Sequence, residues 1–379
     1  MRKEKIGLLT LVGRKYNNNI GAILQAYALQ RIIKKLGFDC EIIDFEPPID
    51  MKNSLIMPLV ASIKARGFKW TLLRAFDRLL RERERIKGCY DFKKAYLNFT
   101  PQTFKDKDDL RHLDYDIYIV GSDTVWSPKI HIKALRVYLL EFVKNRKKIS
   151  YATSIWYPIP DRLCPIYKSL LRDFDFISVR EETSARYLKE CGIEIDPEIV
   201  LDPTLLLSKE EWKRISKPPE ETVERPYIMF YDVHPTKGLI SEVFSIAKKR
   251  GVNIVTNITA KYTPFMKFNY PRVYSFYSPA EFLWLVENAE YIITTSFHGT
   301  IFSVLFRKPF YSIKPTISPA NKIFDFLKKV GLEDRFIRNP KDLKSKGLND
   351  DINWKNTERR LKREVNHSIH FLKKALRGC

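Results

Sequence analysis

The sequence has little cysteine, no long hydrophobic run and no glycine-rich nucleotide motif. Its five cysteines are scattered and none forms a CxxC pair, which argues against a disulfide framework and against a structural zinc site. A reducing compartment such as the cytosol is the simple inference. No apolar run approaches the roughly 18 residues of a membrane span. The start of the chain is basic and then apolar but lacks a small-residue cleavage site, so we expect a first strand there rather than a leader.

Acidic residues are also scarce relative to basic ones. The chain holds 67 Lys and Arg against 45 Asp and Glu, a formal net charge of +22. Such an excess favours anionic partners: nucleic acid, anionic lipid headgroups or phosphorylated small molecules. Because no helix-turn-helix, zinc-finger, RRM or KH signature is present, we expect no nucleic acid partner. A nucleic-acid-binding protein is nevertheless one alternative, and it predicts tight, salt-sensitive binding to random duplex.

Strands alternate with helices along most of the chain, whose 379 residues suit two domains. A strand at 6–12, a helix at 21–35 and a strand at 41–45 form a βαβ unit without GxGxxG, so a dinucleotide is not indicated. We predict an α/β fold of two Rossmann-like doubly wound domains facing a cleft, the GT-B-like layout. The predicted N-terminal domain is 1–207, the linker 208–226 and the C-terminal domain 227–350. A final helix within 351–379 is expected, by analogy, to cross back to the N-terminal domain.

A basic stretch at about 51–90 differs from its surroundings. Between residues 52 and 87, ten Lys and Arg accompany three acids, with apolar residues at helical spacing. One interpretation is an ordinary helical insertion packed on the first domain. The other is a basic amphipathic helix that rests on an anionic membrane surface.

Polar residues follow the predicted parallel strands in both halves. In the first half, Asp123, Arg180 and Asp202 come directly after strands, and such strand ends meet on one rim of a parallel sheet. In the second half, a strand at 291–295 is followed by a turn that ends at His298, and a helix then begins at Gly299. Free N–H groups at that helix start can bind an anion, and a histidine beside them can hold phosphate or donate a proton.

Each of these residues also has a purely structural interpretation. His298 would cap its helix, and Arg180 would pair with a neighbouring glutamate at the surface. Asp202 would only form a turn, and Asp123 would only begin a helix. The residue pattern alone leaves these alternatives open.

Seven stretches taken together resemble the polysaccharide pyruvyl transferase family. They follow that family's order and cover most of residues 16–336: NNNIGAILQAYALQRIIKKLG, DIYIVGSDTVWSP, ISYATS, FISVREETSARYL, VLDPTLLL, ITTSFHGTIFSVLFRKPF and NKIFDFLKKVGLEDR. The resemblance implies a GT-B-like fold. It also implies transfer of the enolpyruvyl group of phosphoenolpyruvate (PEP) onto two hydroxyls of a sugar, which forms a pyruvate ketal. No metal or other cofactor is implied.

The resemblance also implies partners and a location. The acceptor would be a sugar of a bacterial surface polysaccharide precursor, lipid-linked in many members. The enzyme would be cytoplasmic, with peripheral contact at the inner membrane face.

The reaction needs a proton donor, a cationic cradle for the PEP phosphate and carboxylate, and a base for the hydroxyls. Under the resemblance, these roles fall on nine residues. The predicted catalytic residues are His298 as proton donor or phosphate ligand and Asp123 and Asp202 as bases; the predicted PEP ligands are Arg180, Ser296 and the N–H groups of Gly299 and Thr300; the predicted acceptor contacts are Asn19 and Gly21.

The sequence departs from the family pattern at one position. Some members carry Arg two positions before the histidine, and here that position is Ser296. A second cation must then come from elsewhere, and Lys308, Lys314 and Lys322 are available. The departure keeps a different anionic donor open, so a GT-B glycosyltransferase that uses a nucleotide sugar is the alternative enzyme.

Overall fold

The structure is a computed structural model that describes residues 3–47, 68–233, 236, 238–257, 272–315 and 322–378. Within the helix at 68–96 its side chains are described from residue 82 onward. The first part of the predicted basic insertion, 51–67, lies outside the described residues, as does Cys379.

The N-terminal half contains a seven-stranded sheet in which every pairing is parallel. The strand order is β3-β2-β1-β4-β5-β6-β7, the doubly wound order with its crossover beside β1. The strands are β1 (Lys5–Leu9), β2 (Asp39–Phe45), β3 (Phe99–Phe104), β4 (Ile117–Asp123), β5 (Lys147–Thr153), β6 (Phe176–Val179) and β7 (Glu198–Ile199).

The C-terminal half repeats this plan with six parallel strands in the order β10-β9-β8-β11-β12-β13. The same order in both halves explains the similar sequence pattern of the two halves. The strands are β8 (Tyr227–Tyr231), β9 (Asn253–Thr256), β10 (Val273–Ser275), β11 (Tyr291–Thr294), β12 (Phe310–Ile313) and β13 (Phe336–Ile337).

Helices connect the strands and cover the sheets, as parallel pairing requires. The N-terminal half contains α1 (Ile20–Lys35), α2 (Phe68–Tyr96), α3 (Ile132–Tyr138), α4 (Cys164–Leu171), α5 (Glu182–Glu190) and α6 (Lys209–Lys213). The C-terminal half contains α7 (Leu239–Arg250), α8 (Pro279–Asn288), α9 (Phe297–Leu305), α10 (Lys322–Val330), α11 (Asp342–Lys346) and α12 (Trp354–Arg377). None of the described helices combines the length and apolar character needed to cross a bilayer.

The last helix, α12, packs on the first sheet as well as on its own half. Ser368 Oγ accepts a hydrogen bond of 2.9 Å from the Leu201 amide, and Lys147 Nζ donates to the Leu376 carbonyl at 3.1 Å. At its other end, Glu358 pairs with Arg307 of the second half. The helix therefore ties the two halves together.

Several elements were missed or displaced in the sequence-based prediction. The edge strands β3, β10 and β13 are two to six residues long and have little alternation to detect. The predicted linker begins with α6, which Ser208 starts through a capping box. Its Trp212 is fully buried and packs on the rings of Tyr27 and Phe302, so that part of the linker belongs to the core.

The cysteine prediction was wrong, because Cys164 and Cys191 form a disulfide. They are 27 residues apart in sequence, but the start of α4 and the end of α5 bring their Cα atoms to 5.2 Å. Sequence spacing does not reveal such a contact. The inference of a reducing compartment rested on the expected absence of disulfides, and the structure removes that basis. Cys40 and Cys89 are free and buried.

We expect the disulfide to contribute about 3 kcal/mol to stability, since closing a loop of this length restricts the unfolded chain. Urea denaturation of the wild type with and without reductant measures this directly. Cys191→Ser should match the reduced wild type and should not respond to reductant. A wild type whose stability is unchanged by reductant would contradict the prediction.

Candidate functional site

A cavity of about 220 Å³ lies between the carboxyl edges of the two sheets. The N-terminal half contributes residues that follow β1, β4 and β5, and the C-terminal half contributes residues that follow β8, β11 and β12. This is the edge at which ligands bind in open α/β sheets. The polar and aromatic lining includes Asn17, Asn19, Asp123, Thr124, Trp156, Ser296, Phe297, His298, Lys314 and Lys322.

His298 occupies the second position of α9, immediately after β11. Ser296 is the N-cap, and its Oγ accepts from the Gly299 amide at 3.2 Å. The helix therefore begins two residues earlier than predicted, and His298 lies inside its first turn. The imidazole is 8% exposed. Its Nε2 lies 3.5 Å from Asp202 Oδ2 and makes no hydrogen bond to a described residue.

The other side of the imidazole faces Gly21, at the start of α1 in the opposite half. A Cβ atom at Gly21 would lie 2.2 Å from Nδ1 and 2.5 Å from Cγ of His298. Only a residue without a side chain allows the ring to lie there. Gly21 is thus a steric partner of the imidazole, and it does not itself line the cavity in which the predicted acceptor contact would be made.

A buried ion-pair cluster lies behind the imidazole. Arg180 Nη1 donates to Asp202 Oδ2 at 2.8 Å, Nε lies 3.3 Å from Glu181 Oε2, and Nη2 lies 3.5 Å from Asp123 Oδ1. The guanidinium carbon also lies 4.5 Å from the Phe297 ring centroid. Three carboxylates therefore surround this guanidinium. Arg180 does not line the cavity, so its predicted role as a direct anion clamp does not fit this placement.

Asp202 is 1% exposed, and both of its carboxylate oxygens have partners. Its Oδ1 accepts from the amide and the hydroxyl of Thr204 at 3.1 and 2.7 Å, while Oδ2 faces Arg180 and His298. Burial by itself raises the pKa of this carboxyl, but His298, Arg180 and Thr204 outweigh burial and hold the pKa well below its usual range. A carboxylate that holds protons so weakly is a poor general base. The geometry favours a positioning role for Asp202 in place of the predicted base.

Asp123 differs from Asp202 in that it lines the cavity. It adopts a left-handed backbone conformation, with φ of 70°, that turns it out of the end of β4. Oδ1 accepts from the Thr124 amide at 2.9 Å. Of the two predicted bases, Asp123 is the one in reach of a molecule in the cavity.

Lys322 brings a cation to the cavity from the start of α10. Its Nζ lies 4.5 Å from the ring centroid of Trp156 and 5.7 Å from that of Phe297. Desolvation lowers the pKa of Lys322 to about 8, and the nearby Arg180 acts in the same direction. Lys314 also lines the cavity and is exposed. Lys308 does not line it.

The start of α9 offers fewer N–H groups than predicted. The Gly299 amide donates to Ser296 Oγ and the Thr300 amide to Ser296 O at 3.0 Å. The two predicted phosphate donors are thus already satisfied, a correction that follows from the earlier start of the helix. Among the described residues, the amides of Phe297 and His298 have no acceptor. They are the pair left for an anion.

The asparagine-rich loop after β1 is held by a buried lysine that sequence analysis missed. Lys93, from α2, is fully buried. Its Nζ donates to the carbonyls of Gly13 and Tyr16 at 3.0 and 3.2 Å and to Asn18 Oδ1 at 3.2 Å. Asn19 lines the cavity, while its Oδ1 caps α1 through the Ala22 amide. The sequence does not reveal the role of Lys93, because eight other Lys and Arg residues lie in the same helix.

Four of the predicted site residues line the cavity: Asn19, Asp123, Ser296 and His298. Three others do not line it but contact these residues: Gly21, Arg180 and Asp202. Among the described residues, no group of three or more His, Cys, Asp or Glu side chains is arranged to hold a metal ion.

Comparisons with known proteins agree with this architecture. Residues 19–315 match the sequence model of a family described as polysaccharide pyruvyl transferase. No curated protein matches the chain.

Solved structures of similar fold come from sugar-nucleotide enzymes. A Listeria monocytogenes protein assigned as a UDP-N-acetylglucosamine 2-epimerase is 10% identical over 100% of this chain and 98% of its own, with a TM-score of 0.56. The UDP-GlcNAc 2-epimerase from Methanocaldococcus jannaschii is 14% identical over 96% and 93%, with a TM-score of 0.50. MnaA from S. aureus, solved with UDP, is 10% identical over 97% of both chains, with a TM-score of 0.51. At such identities the likeness concerns the fold alone, and it confirms the predicted pair of Rossmann-like domains.

We expect Gly21→Ala to displace the His298 ring, because the added methyl group would overlap Nδ1. Overpacking of this kind costs about 1–3 kcal/mol of folding stability. The NMR resonances of the His298 ring should shift, and urea denaturation should show the loss. Gly88→Ala is the matched control, since its Cβ would meet Ser278 Cβ at 3.0 Å, away from the imidazole. Unshifted His298 resonances in Gly21→Ala would contradict the steric role.

Proposed function

The chain belongs to the polysaccharide pyruvyl transferase family, and we propose that it transfers the enolpyruvyl group of PEP to two hydroxyls of one sugar. The product is a cyclic pyruvate ketal, and inorganic phosphate is released. The observation that carries the proposal is one cavity lined by His298, two lysines and the start of α9, where two amides have no acceptor among the described residues. That set matches a small molecule with a phosphate, a carboxylate and a carbon that must accept a proton.

The reaction proceeds by addition and then substitution at one carbon. A proton adds to the methylene carbon of PEP, which becomes the methyl group, and C2 acquires cationic character. A sugar hydroxyl bonds to C2 and loses its proton. The C2–O bond to phosphate breaks, and a second hydroxyl bonds to C2 and loses its proton. One of the two released protons replaces the proton consumed, and the other leaves on the phosphate.

His298 is the proposed proton donor. The imidazole lines the cavity, and its Nε2 is buried beside Asp202 with no hydrogen-bond partner among the described residues. The carboxylate of Asp202, 3.5 Å away, compensates the charge of the protonated ring. Arg180 in turn keeps Asp202 ionised and oriented. We propose that Asp202 and Arg180 act through His298 rather than by touching the donor.

Lys322 is the proposed replacement for the arginine that some family members carry at the position of Ser296. Its ammonium, together with Lys314 and the amides of Phe297 and His298, supplies the positive groups that an anionic donor needs. Asp123 is the proposed base for the acceptor hydroxyls, since it lines the cavity from the opposite half. Asn19 is the proposed acceptor contact beside it.

The proposed acceptor is a sugar of a bacterial surface polysaccharide precursor, carried on a phosphorylated lipid. The proposed location is the cytoplasm, where PEP is made, with peripheral contact at the inner face of an anionic membrane. The Cys164–Cys191 disulfide is uncommon in that compartment. Counting the free thiols of this protein in cytosolic extracts therefore tests whether the disulfide is present in that compartment, and so tests the proposed location.

The function is tested by PEP-dependent phosphate release with galactosyl or mannosyl acceptors. Wild type should turn over with a matching acceptor, and His298→Ala should abolish turnover while the protein remains folded by circular dichroism. His112→Ala, at an exposed position, is the control and should retain full activity. Absence of PEP binding by calorimetry at millimolar ligand, together with thermal stabilisation by UDP- or GDP-sugars, would instead identify a glycosyltransferase.

We expect the affinity for PEP to fall as pH rises through about 8. Burial disfavours the Lys322 ammonium, so its charge is present below this pKa and is lost above it. Calorimetry from neutral pH to about pH 9 measures the effect. Lys322→Met should weaken binding by about 10- to 100-fold at neutral pH, and Lys322→Arg should bind without the alkaline loss. Affinity that is independent of pH in the wild type would contradict the assignment.

A further inference from the structure

The solvent-exposed side of α12 carries a row of positive charges in two groups, 355–363 and 373–377, with Asn366 and two histidines between them. Seven Lys and Arg residues are exposed along its 24 residues, a length of about 36 Å. The two acids of this helix, Glu358 and Glu364, are only partly exposed and pair with Arg307 and Lys329, and Glu364 also lies 3.8 Å from Arg363 of the row. We call this row the α12 basic face: Lys355, Arg359, Lys362, Arg363, Lys373, Lys374 and Arg377.

The α12 basic face continues onto α1. Arg377 Nη2 donates to the Leu36 carbonyl at 3.3 Å, which brings the ends of the two helices together. Helix α1 has no acidic residue, and Arg31 and Lys34 are exposed near its end. The adjacent Lys35 pairs with Glu211 at 2.6 Å. The positive surface therefore extends across two helices that cover the same sheet.

The opposite side of α12 is fixed to the protein. Phe371, Leu372 and Leu376 are at most 5% exposed, and Ser368 is bonded to the Leu201 amide. The helix therefore cannot turn an apolar face outward to insert into a bilayer. None of its Phe or Trp side chains is exposed for a base of single-stranded nucleic acid to stack on, and its exposed rings are the imidazoles of His367 and His370. A long face with cationic groups near both ends fits an anionic surface that extends along the helix.

We propose that the α12 basic face binds the anionic lipid headgroups of a membrane through charge alone. The choice of lipid as the anionic partner rests on the proposed function, in which the acceptor is carried on a membrane lipid. Because α12 contacts both halves, this attachment holds the whole enzyme at the membrane rather than one domain. Sequence analysis left α2 open as either a packed insertion or a membrane contact, and in the structure its Lys93 binds the loop beside the cleft.

Vesicle cosedimentation of the full-length protein tests this proposal without PEP or acceptor. Binding to phosphatidylcholine vesicles that contain phosphatidylglycerol should be strong and should weaken with added salt. Pure phosphatidylcholine should not bind. A four-site variant removes lysines whose ammonium groups have no polar partner among the described residues: Lys355→Gln, Lys362→Gln, Lys373→Gln and Lys374→Gln. Since each basic residue near an anionic surface contributes roughly fivefold in affinity, the variant should bind roughly a hundredfold more weakly or worse.

A matched variant distinguishes an effect of the α12 basic face from an effect of the protein's net charge. It removes four exposed lysines that lie elsewhere on the N-terminal half: Lys105→Gln, Lys133→Gln, Lys144→Gln and Lys189→Gln. This control should bind anionic vesicles nearly as wild type does. Equal loss in both variants would overturn the proposal, as would absence of wild-type binding. Tighter binding to random duplex than to vesicles at the same salt would overturn it in favour of nucleic acid.

The test is independent of catalysis. With a soluble acceptor, the α12 variant should keep PEP-dependent phosphate release, because none of its changed residues lies in the cavity. Vesicle binding without any turnover would contradict the proposed reaction and support lipid binding by the α12 basic face. Turnover without vesicle binding would support the proposed reaction and contradict lipid binding.

Discussion

One buried carboxylate, that of Asp202, joins the arginine and the histidine on which the geometry of the site depends. It contacts Arg180 from its own half and His298 from the other. A buried charge that loses its partner costs several kcal/mol, so the three groups must come together as the halves meet. The Arg180 guanidinium also forms ion pairs with Asp123 and Glu181. The ends of β4, β6 and β7 thus converge on a single positive charge, and the imidazole of the second half completes the cluster.

The sequence predicts much of the fold because its signals are local. Buried parallel strands show as short β-branched runs, and the helices between them show apolar residues at helical spacing. The predicted helix at 21–35 agrees with α1 to within one residue, and the predicted strands at 41–45 and 291–295 agree with β2 and β11 to within two residues. The polar turns after the strands were expected to meet on one rim, and ion-pair distances between Arg180, Asp123 and Asp202 place them there.

The contacts of each side chain could not be predicted, because they involve residues that are distant in sequence. An arginine at a strand end looks the same whether it is free to bind a ligand or surrounded by three carboxylates. Gly21 and His298 are in different halves, so no spacing connects them. The Cys164–Cys191 contact depends on how two helices pack. In the sequence Lys93 is one of many basic residues, and only the structure shows that it is buried and donates hydrogen bonds to the loop after β1.

The placement of His298 between the halves makes the surroundings of its ring a property of the whole chain. Its helix belongs to one domain, whereas the glycine beside its ring and the carboxylate 3.5 Å from its Nε2 belong to the other. Any substitution that shifts one domain against the other therefore changes both contacts at the same time. A change in the packing between the domains, far from the cavity, can thus reposition this ring without touching it.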